Sequence, residues 1–230
     1  MYPCIILCGG LATRLGSIAS KTPKCLLEIN NKPFLYYQLK YLEQFGAREV
    51  YLSVGHLSEK LYDFNRKHKF NNISIKIIED GSLPLGTGGA VKNIIKMIDS
   101  PALVMYGDSF LRVDFLEVCH SYKTNLGPLL VIYKNDGRYD QSNVYFDDDN
   151  IVYSKTNVSP QADYIDYGVG IYKPSDFDNT TKSFDLSLLQ ERFSTLKLLQ
   201  YFKAKKRFYE IGTPSSYIKT EGFFKKYEFK

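Results

Sequence analysis

Short apolar runs alternate with amphipathic stretches along the first half of this chain, and few folds accommodate that order. The runs are Pro3–Cys8, Glu49–Val54, Ile73–Glu79, Ala102–Tyr106 and Pro128–Tyr133. Between them, Leu35, Leu39 and Leu42 recur at helical spacing in Pro33–Phe45, with Pro33 suited to a first helical turn and Gly46 to the position after the last. Ser58–Lys69, Gly89–Ile98 and Asp114–Lys123 also read as helices. Runs apolar throughout are buried on both faces, and helices between them must cover those faces. The expectation is a three-layer, doubly wound α/β fold with a mixed, mostly parallel sheet.

After about residue 138 the pattern changes. Asn143–Phe146 and Ile151–Ser154 flank the turn-forming Asp147–Asn150 and read as a hairpin. Asp166–Tyr172 is a further strand, Phe184–Phe193 a helix, Leu196–Ala204 a strand and Thr213–Tyr227 a closing helix. No repeat or linker interrupts the chain, so a single domain over 1–230 is expected.

A chain of 230 residues can bury a sizeable core. Its net charge of +5 suits a small anionic ligand and is too weak to argue for nucleic acid or a membrane surface. The four cysteines form no C-x-x-C pair and the three histidines are scattered, which argues against a zinc site or a disulfide framework. Reduced thiols, no signal-like segment and no run of about 20 apolar residues point to a soluble cytoplasmic protein.

In a doubly wound sheet, ligands bind beyond the carboxyl ends of the strands where strand order reverses. Two loops with unusual chemistry follow the first and fourth runs: Gly9–Ser17 and Tyr106-Gly107-Asp108. Gly9 and Gly10 let the backbone turn and present N–H groups to an anion, and Arg14 adds a forked, permanent cation. Lys24, behind Pro23 in "KTPK", is a second cation on a stiffened approach. Asp108 ends an apolar run and suits a divalent cation, the competing role being a helix cap. "PLGTGGA" (Pro84–Ala90) offers amides at a helix start, unless it is only a connector. In "YEIGTP" (Tyr209–Pro214), Glu210 is the candidate second metal carboxylate, against a plain surface glutamate.

Taken in order, "LCGGLATRL…KTPK", "PLGTGGA", "YGDSF" and "EIGTP" resemble the motifs of the sugar-1-phosphate nucleotidyltransferases, from residue 2 to about 220. The resemblance implies a Rossmann-like nucleotidyltransferase fold. It divides the chain into a nucleotide-binding part (1–135), a sugar-phosphate part (136–212) and a C-terminal helix (213–230). It implies that Arg14 grips the β- and γ-phosphates of a nucleoside triphosphate, that Lys24 holds the groups around the α-phosphorus, and that Asp108 and Glu210 bind Mg²⁺. Leu7, Gly9, Gly10, Ala12, Thr13, Gly86, Thr87, Gly88 and Gly107 would border the nucleotide. Asp108, Lys155, Asp166 and Gly168 would face the sugar 1-phosphate. "YGDSFLRVD" and "EIGTP" are most similar to the branch of heptose-1-phosphate and mannose-1-phosphate guanylyltransferases, which implies GTP and bacterial surface-polysaccharide precursors.

Three positions depart from the family pattern. Residue 210 is Glu where aspartate is usual, Ser154 stands where many relatives have glutamate, and Gly168 stands where N-A-G-I-Y has asparagine. Two alternatives therefore remain open: a nucleotidyltransferase using CTP, UTP or dTTP with another phosphorylated substrate, and a non-catalytic nucleotide-sugar-binding regulatory relative. A glycosyltransferase built on "DDDN" is disfavoured, because Asp and Asn there serve a hairpin tip and Arg14 and Lys24 would go unused. So is a nucleic-acid binder built on "KAKKRF" (Lys203–Phe208), because four cations beside a strand more often form a solvated face. The 19 tyrosines leave room for a homo-oligomer.

Overall fold

The computed structural model describes residues 1–10, 22–55, 57–81 and 84–229. From the N-terminus come β1 (Cys4–Leu7), a short ribbon of β2 (Glu28–Ile29) and β3 (Lys32–Pro33), α1 (Phe34–Gln44), β4 (Glu49–Val54), α2 (Ser58–Lys67) and β5 (Ser74–Glu79). Then follow α3 (Gly86–Ile98), β6 (Ala102–Tyr106), β7 (Ser109–Phe110), α4 (Phe115–Ser121) and β8 (Leu129–Lys134). The last third contains β9 (Val144–Asp147), β10 (Asn150–Tyr153), β11 (Tyr164–Tyr172), α5 (Leu186–Thr195), β12 (Gln200–Ala204), β13 (Tyr209–Glu210) and α6 (Pro214–Phe224).

Successive strand residues point to opposite faces, and both faces of this sheet are apolar. Cys4 and Ile6 of β1 pack with Leu35, Leu39 and Leu42 of α1 and with Phe115 and Val118 of α4. Ile5 and Leu7 pack on the other side with Val91, Ile94 and Ile95 of α3 and with Leu189 of α5. Two helical layers thus sandwich the sheet, as the alternation implies. A third cluster, around Phe34, Tyr37, Phe110, Ile211 and Phe224, seats α6 against the start of α1.

The main path of the sheet runs β10-β9-β11-β6-β1-β4-β5, with β8 beside β11 and β12 beside β8. Strands β5, β4, β1 and β6 are parallel, and β1 and β6 are neighbours. Strand order reverses between them, so the two loops singled out above leave the sheet side by side. One feature differs from a simple β-α series: β11 inserts between β6 and β8, antiparallel to both. The fifth apolar run is therefore not next to the fourth. Its pairing with β11 shifts register between Asp166 and Gly170, where Gly168 has φ +81°, and such a bulge re-aims the side chains around it. Asp147–Asn150 is the tip of the β9–β10 hairpin, with Asp148 at φ 52°.

Candidate active site

The crevice is built on the carboxyl ends of the parallel strands. The Cys8 amide donates to the Ser53 carbonyl (2.8 Å), the Asp80 amide to Val54 (2.8 Å) and the Gly107 amide to Leu7 (3.0 Å), so the loops leave the sheet as one tied surface. A side chain at Gly107 would come within 2.8 Å of the Leu7 carbonyl oxygen, which is why glycine stands there. Gly9 lies against Gly55 and Asp80, while Gly10 is exposed and a side chain on it would meet none of the described residues. Ala12, Thr13 and Arg14 lie outside the described residues.

Lys24 opens a 3₁₀ turn over Lys24–Leu26, directly after Pro23. Its Nζ lies 2.5 Å from Asp108 Oδ2, an ion pair joining the two loops across the crevice. Asp108 does not cap a helix: Asp114 caps α4, accepting from the amides of Leu116 and Glu117. The loop carrying Asp108 is held instead by Gln38 of α1, 1% exposed, whose Nε2 donates to the carbonyls of Tyr106 and Ser109, both at 2.9 Å. Sequence reasoning passed over Gln38, because one glutamine on an apolar helical face carries no local signal.

Glu210 reaches the same place through β13, which pairs antiparallel with β7 so that Glu210 stands opposite Ser109. The Ile211 amide donates to the Asp108 carbonyl (3.0 Å), and the Gly212 amide donates to Glu210 Oε2. A methyl group on Gly212 would lie 3.3 Å from Lys24 Nζ. Lys24, Asp108 and Glu210 therefore converge.

The glycine-rich turn is used differently from expectation. Gly86 has φ +67°, and the amides of Gly88 and Gly89 both donate to the Phe184 carbonyl, at 2.9 and 3.3 Å. The start of α3 thus spends these amides on the 184–186 segment rather than presenting them to a ligand. Thr87 is tied there too: its Oγ1 accepts from the Leu186 amide (2.8 Å) and donates to Asp185 (3.3 Å).

The sugar-side candidates form a second group, continuous with the first through Tyr106. Burial pushes the Tyr106 hydroxyl up, and the carboxylates of Asp166, Asp185 and Asp108 around it push it further. Lys155 pairs with Asp185 (2.9 Å). Asp166 accepts from the Gly168 amide (2.8 Å), and burial pushes its carboxyl up to about 6. Ser154 and the Lys155 amide both donate to Glu191 Oε1, at 3.3 and 2.8 Å. A carboxylate from α5 therefore occupies the neighbourhood where Ser154 lacks one.

Asp80 is a further residue that sequence reasoning missed. Ser53 Oγ donates to its Oδ1 (2.9 Å), a methyl on Gly9 would meet its Oδ2 at 3.3 Å, and burial raises its carboxyl. One acid after a strand of mixed polarity resembles any loop aspartate; only strand order puts it beside Gly9. The basic run near the C-terminus is held by rings: Lys203 Nζ lies 4.3 Å from the Phe146 centroid, and Arg207 sits over Tyr139 and Tyr209 at 4.1 and 4.5 Å.

A switch-point crevice with a lysine–carboxylate pair, in a sheet of this order, defines a nucleotidyltransferase of Rossmann-like fold. A family model described as the MobA-like NTP transferase domain matches residues 4–161, and the chain belongs to that family. It is 34% identical over 228 residues to the D-glycero-alpha-D-manno-heptose 1-phosphate guanylyltransferase of Campylobacter jejuni, covering 93% of this chain and 96% of that relative. It is 32% identical to the protein of the same name from Aneurinibacillus thermoaerophilus, covering 94% and 96%. Among solved structures, HddC from Yersinia pseudotuberculosis complexed with GMP-PN superimposes with a TM-score of 0.80 at 29% identity, over 97% of this chain and 100% of that one. The inositol-1-phosphate CTP transferase of T. maritima shares the fold at 17% identity, with a TM-score of 0.80 over 100% of this chain and 98% of that one.

Proposed function

We propose that the protein is a sugar-1-phosphate guanylyltransferase acting on a heptose- or mannose-type sugar 1-phosphate. A phosphate oxygen of the sugar phosphate attacks the α-phosphorus of GTP. The bond from that phosphorus to the β-bridging oxygen breaks, pyrophosphate leaves, and a GDP-sugar remains. The observation that carries this reading is the convergence of Lys24, Asp108 and Glu210 at the switch point. The nucleophile's second pKa is about 6, so it is anionic at neutral pH and needs no general base. The protein's task is to bring two polyanions together and align them. Lys24 supplies positive charge at the reacting phosphorus, and Arg14 supplies it at the leaving phosphates.

The donors fit a divalent cation. Among the described residues no cluster of three or more metal-ligating side chains occurs, and Mg²⁺ bound with nucleotide phosphates needs only one or two carboxylates. Asp108 and Glu210 would hold it, and it would neutralise phosphate charge. Lys24 would then turn from Asp108 to the nucleotide.

Asp80 supports guanine. Guanine alone among the common bases offers two adjacent donors, N1–H and the 2-amino group, to one carboxylate. A carboxyl raised by burial gains most from such a partner. Bacterial surface-polysaccharide precursor synthesis in the cytoplasm suits the product, and no described helix is long and apolar enough to cross a membrane.

The test is a pyrophosphate-release screen of GTP, ATP, CTP and UTP against D-glycero-α-D-manno-heptose 1-phosphate, mannose 1-phosphate and glucose 1-phosphate. Turnover is expected with GTP and the first two. Absence of pyrophosphate with every pair would remove the reading.

A further inference from the structure

Helix α5 presents two polar side chains toward the sugar-side group that the reaction above leaves without a role. Glu191 has been placed at Ser154 and Lys155. Its neighbour Gln190 is 2% exposed. Gln190 Nε2 donates to the Tyr172 hydroxyl (2.9 Å) and lies 3.4 Å from Asp166 Oδ2. An ionised carboxylate only accepts, so the nitrogen belongs at the Asp166 end and the oxygen at the other. That oxygen, Oε1, is buried and has no hydrogen-bond partner among the described residues.

An unpaired buried acceptor costs about 1–3 kcal/mol, so an orphan of this kind calls for an explanation. Gln190 lines a cavity of about 10 Å³ whose other walls include Tyr106, Asp166, Gly168 and Leu186. That volume takes about one water-sized group, enough for a single hydroxyl. Gly168 lines the cavity at φ +81°, a backbone conformation that disfavours a side chain there. Lys155 lies on the same side, and Tyr106 connects this wall to Asp108.

We infer that Gln190 selects the sugar: its carboxamide oxygen accepts a hydrogen bond from one ring hydroxyl of the sugar 1-phosphate, which enters the small cavity beside Asp166. The inference rests on the guanylyltransferase reading and adds the residue that reads the sugar. The ligand group must be a donor, because what lacks a partner is an acceptor. A site built to pair a hydroxyl rejects the analogue lacking it far more strongly than an apolar pocket rejects a missing methylene.

The experiment compares the wild-type protein with Gln190→Met, which keeps length and volume, and Gln190→Glu, which keeps an acceptor. GTP is paired with mannose 1-phosphate and with its series of monodeoxy and monofluoro analogues, fluorine being unable to donate. In the wild-type protein one position is expected to lose about 100-fold in kcat/KM on deoxygenation and on fluorination. Gln190→Met is expected to raise KM for mannose 1-phosphate about tenfold or more, leave KM for GTP unchanged, and bring that one analogue within about tenfold of the parent. Gln190→Glu is expected to retain the discrimination. If Gln190→Met discriminates like the wild type at every ring position, or raises both KM values alike, the inference is overturned. Should no pair turn over, the guanylyltransferase reading fails by itself. Calorimetric binding of the same analogues then decides on Gln190, with thermal unfolding confirming that each variant is folded.

Discussion

At the foot of the sugar-side group, burial pushes the Asp166 carboxyl up to about 6, and the Gly168 amide, Gln190 and Lys155 pull it down less than burial raises it. In the unfolded chain the same group titrates near about 3.9. The folded state therefore binds the proton more tightly. Its contribution to stability is fully present below pH ~4 and is lost as pH rises through ~6. Asp166→Asn keeps an acceptor for the Gly168 amide and removes the titration. Relative to the wild type, the variant is expected to be more stable at pH 8 than at pH 5, as read from urea midpoints. A stability difference independent of pH would contradict the assignment. The backbone makes a second residue-scale statement. The side chain of Gly107→Ala would meet the Leu7 carbonyl at 2.8 Å, a backbone atom that cannot swing aside. The expected cost is about 1–3 kcal/mol, with turnover falling beyond what the stability loss explains, because the same peptide carries Asp108.

Among the elements, the smallest matter most to the site. β7 and β13 are two residues each, yet their pairing brings Glu210 opposite Ser109. Ile211, fully buried in the α6 cluster, anchors that ribbon, and its amide holds the Asp108 carbonyl. Ile211→Ala is expected to cost about 2–5 kcal/mol and also to raise the Mg²⁺ concentration needed for half-maximal turnover. Measured below the unfolding transition, an unchanged Mg²⁺ requirement would show that the ribbon does not position the carboxylates. These elements also mark where sequence reading stops. Glu49–Val54 and Ala102–Tyr106 were legible residue for residue, because a buried strand writes itself as an apolar run. A two-residue strand has no periodicity to read. The insertion of β11 between β6 and β8 was equally invisible, since strand order is set by long-range pairing. Lys24 and Asp108 were legible as chemistry, but Gln38, Gln190 and Asp80 acquire a role only once distant elements meet.

For the whole molecule, strand order sets two groups of polar side chains along one crevice. The parallel half, β5-β4-β1-β6, ends in Asp80, Gly55, Gly9 and Asp108, while the half added by β10, β11 and α5 brings Lys155, Asp166 and Gln190. Lys24 on Asp108 stands where the halves meet. On the proposed function, the first group faces the base and the second the sugar. Asp80 provides the test on the base side. Asp80→Asn replaces two acceptors with one acceptor and one donor, so the pairing edge of guanine faces a mismatch while Ser53 keeps an oxygen to donate to. A bidentate pair is worth about 1–3 kcal/mol of discrimination, so kcat/KM for GTP is expected to fall about tenfold to 100-fold. Inosine triphosphate, which lacks the 2-amino group, sharpens the reading. The wild type is expected to prefer GTP over it clearly, the variant to treat the two nearly alike, and KM for the sugar phosphate to stay unchanged in both. An identical GTP-to-ITP ratio in variant and wild type would separate Asp80 from base recognition and leave the choice of guanine to the backbone around Gly9.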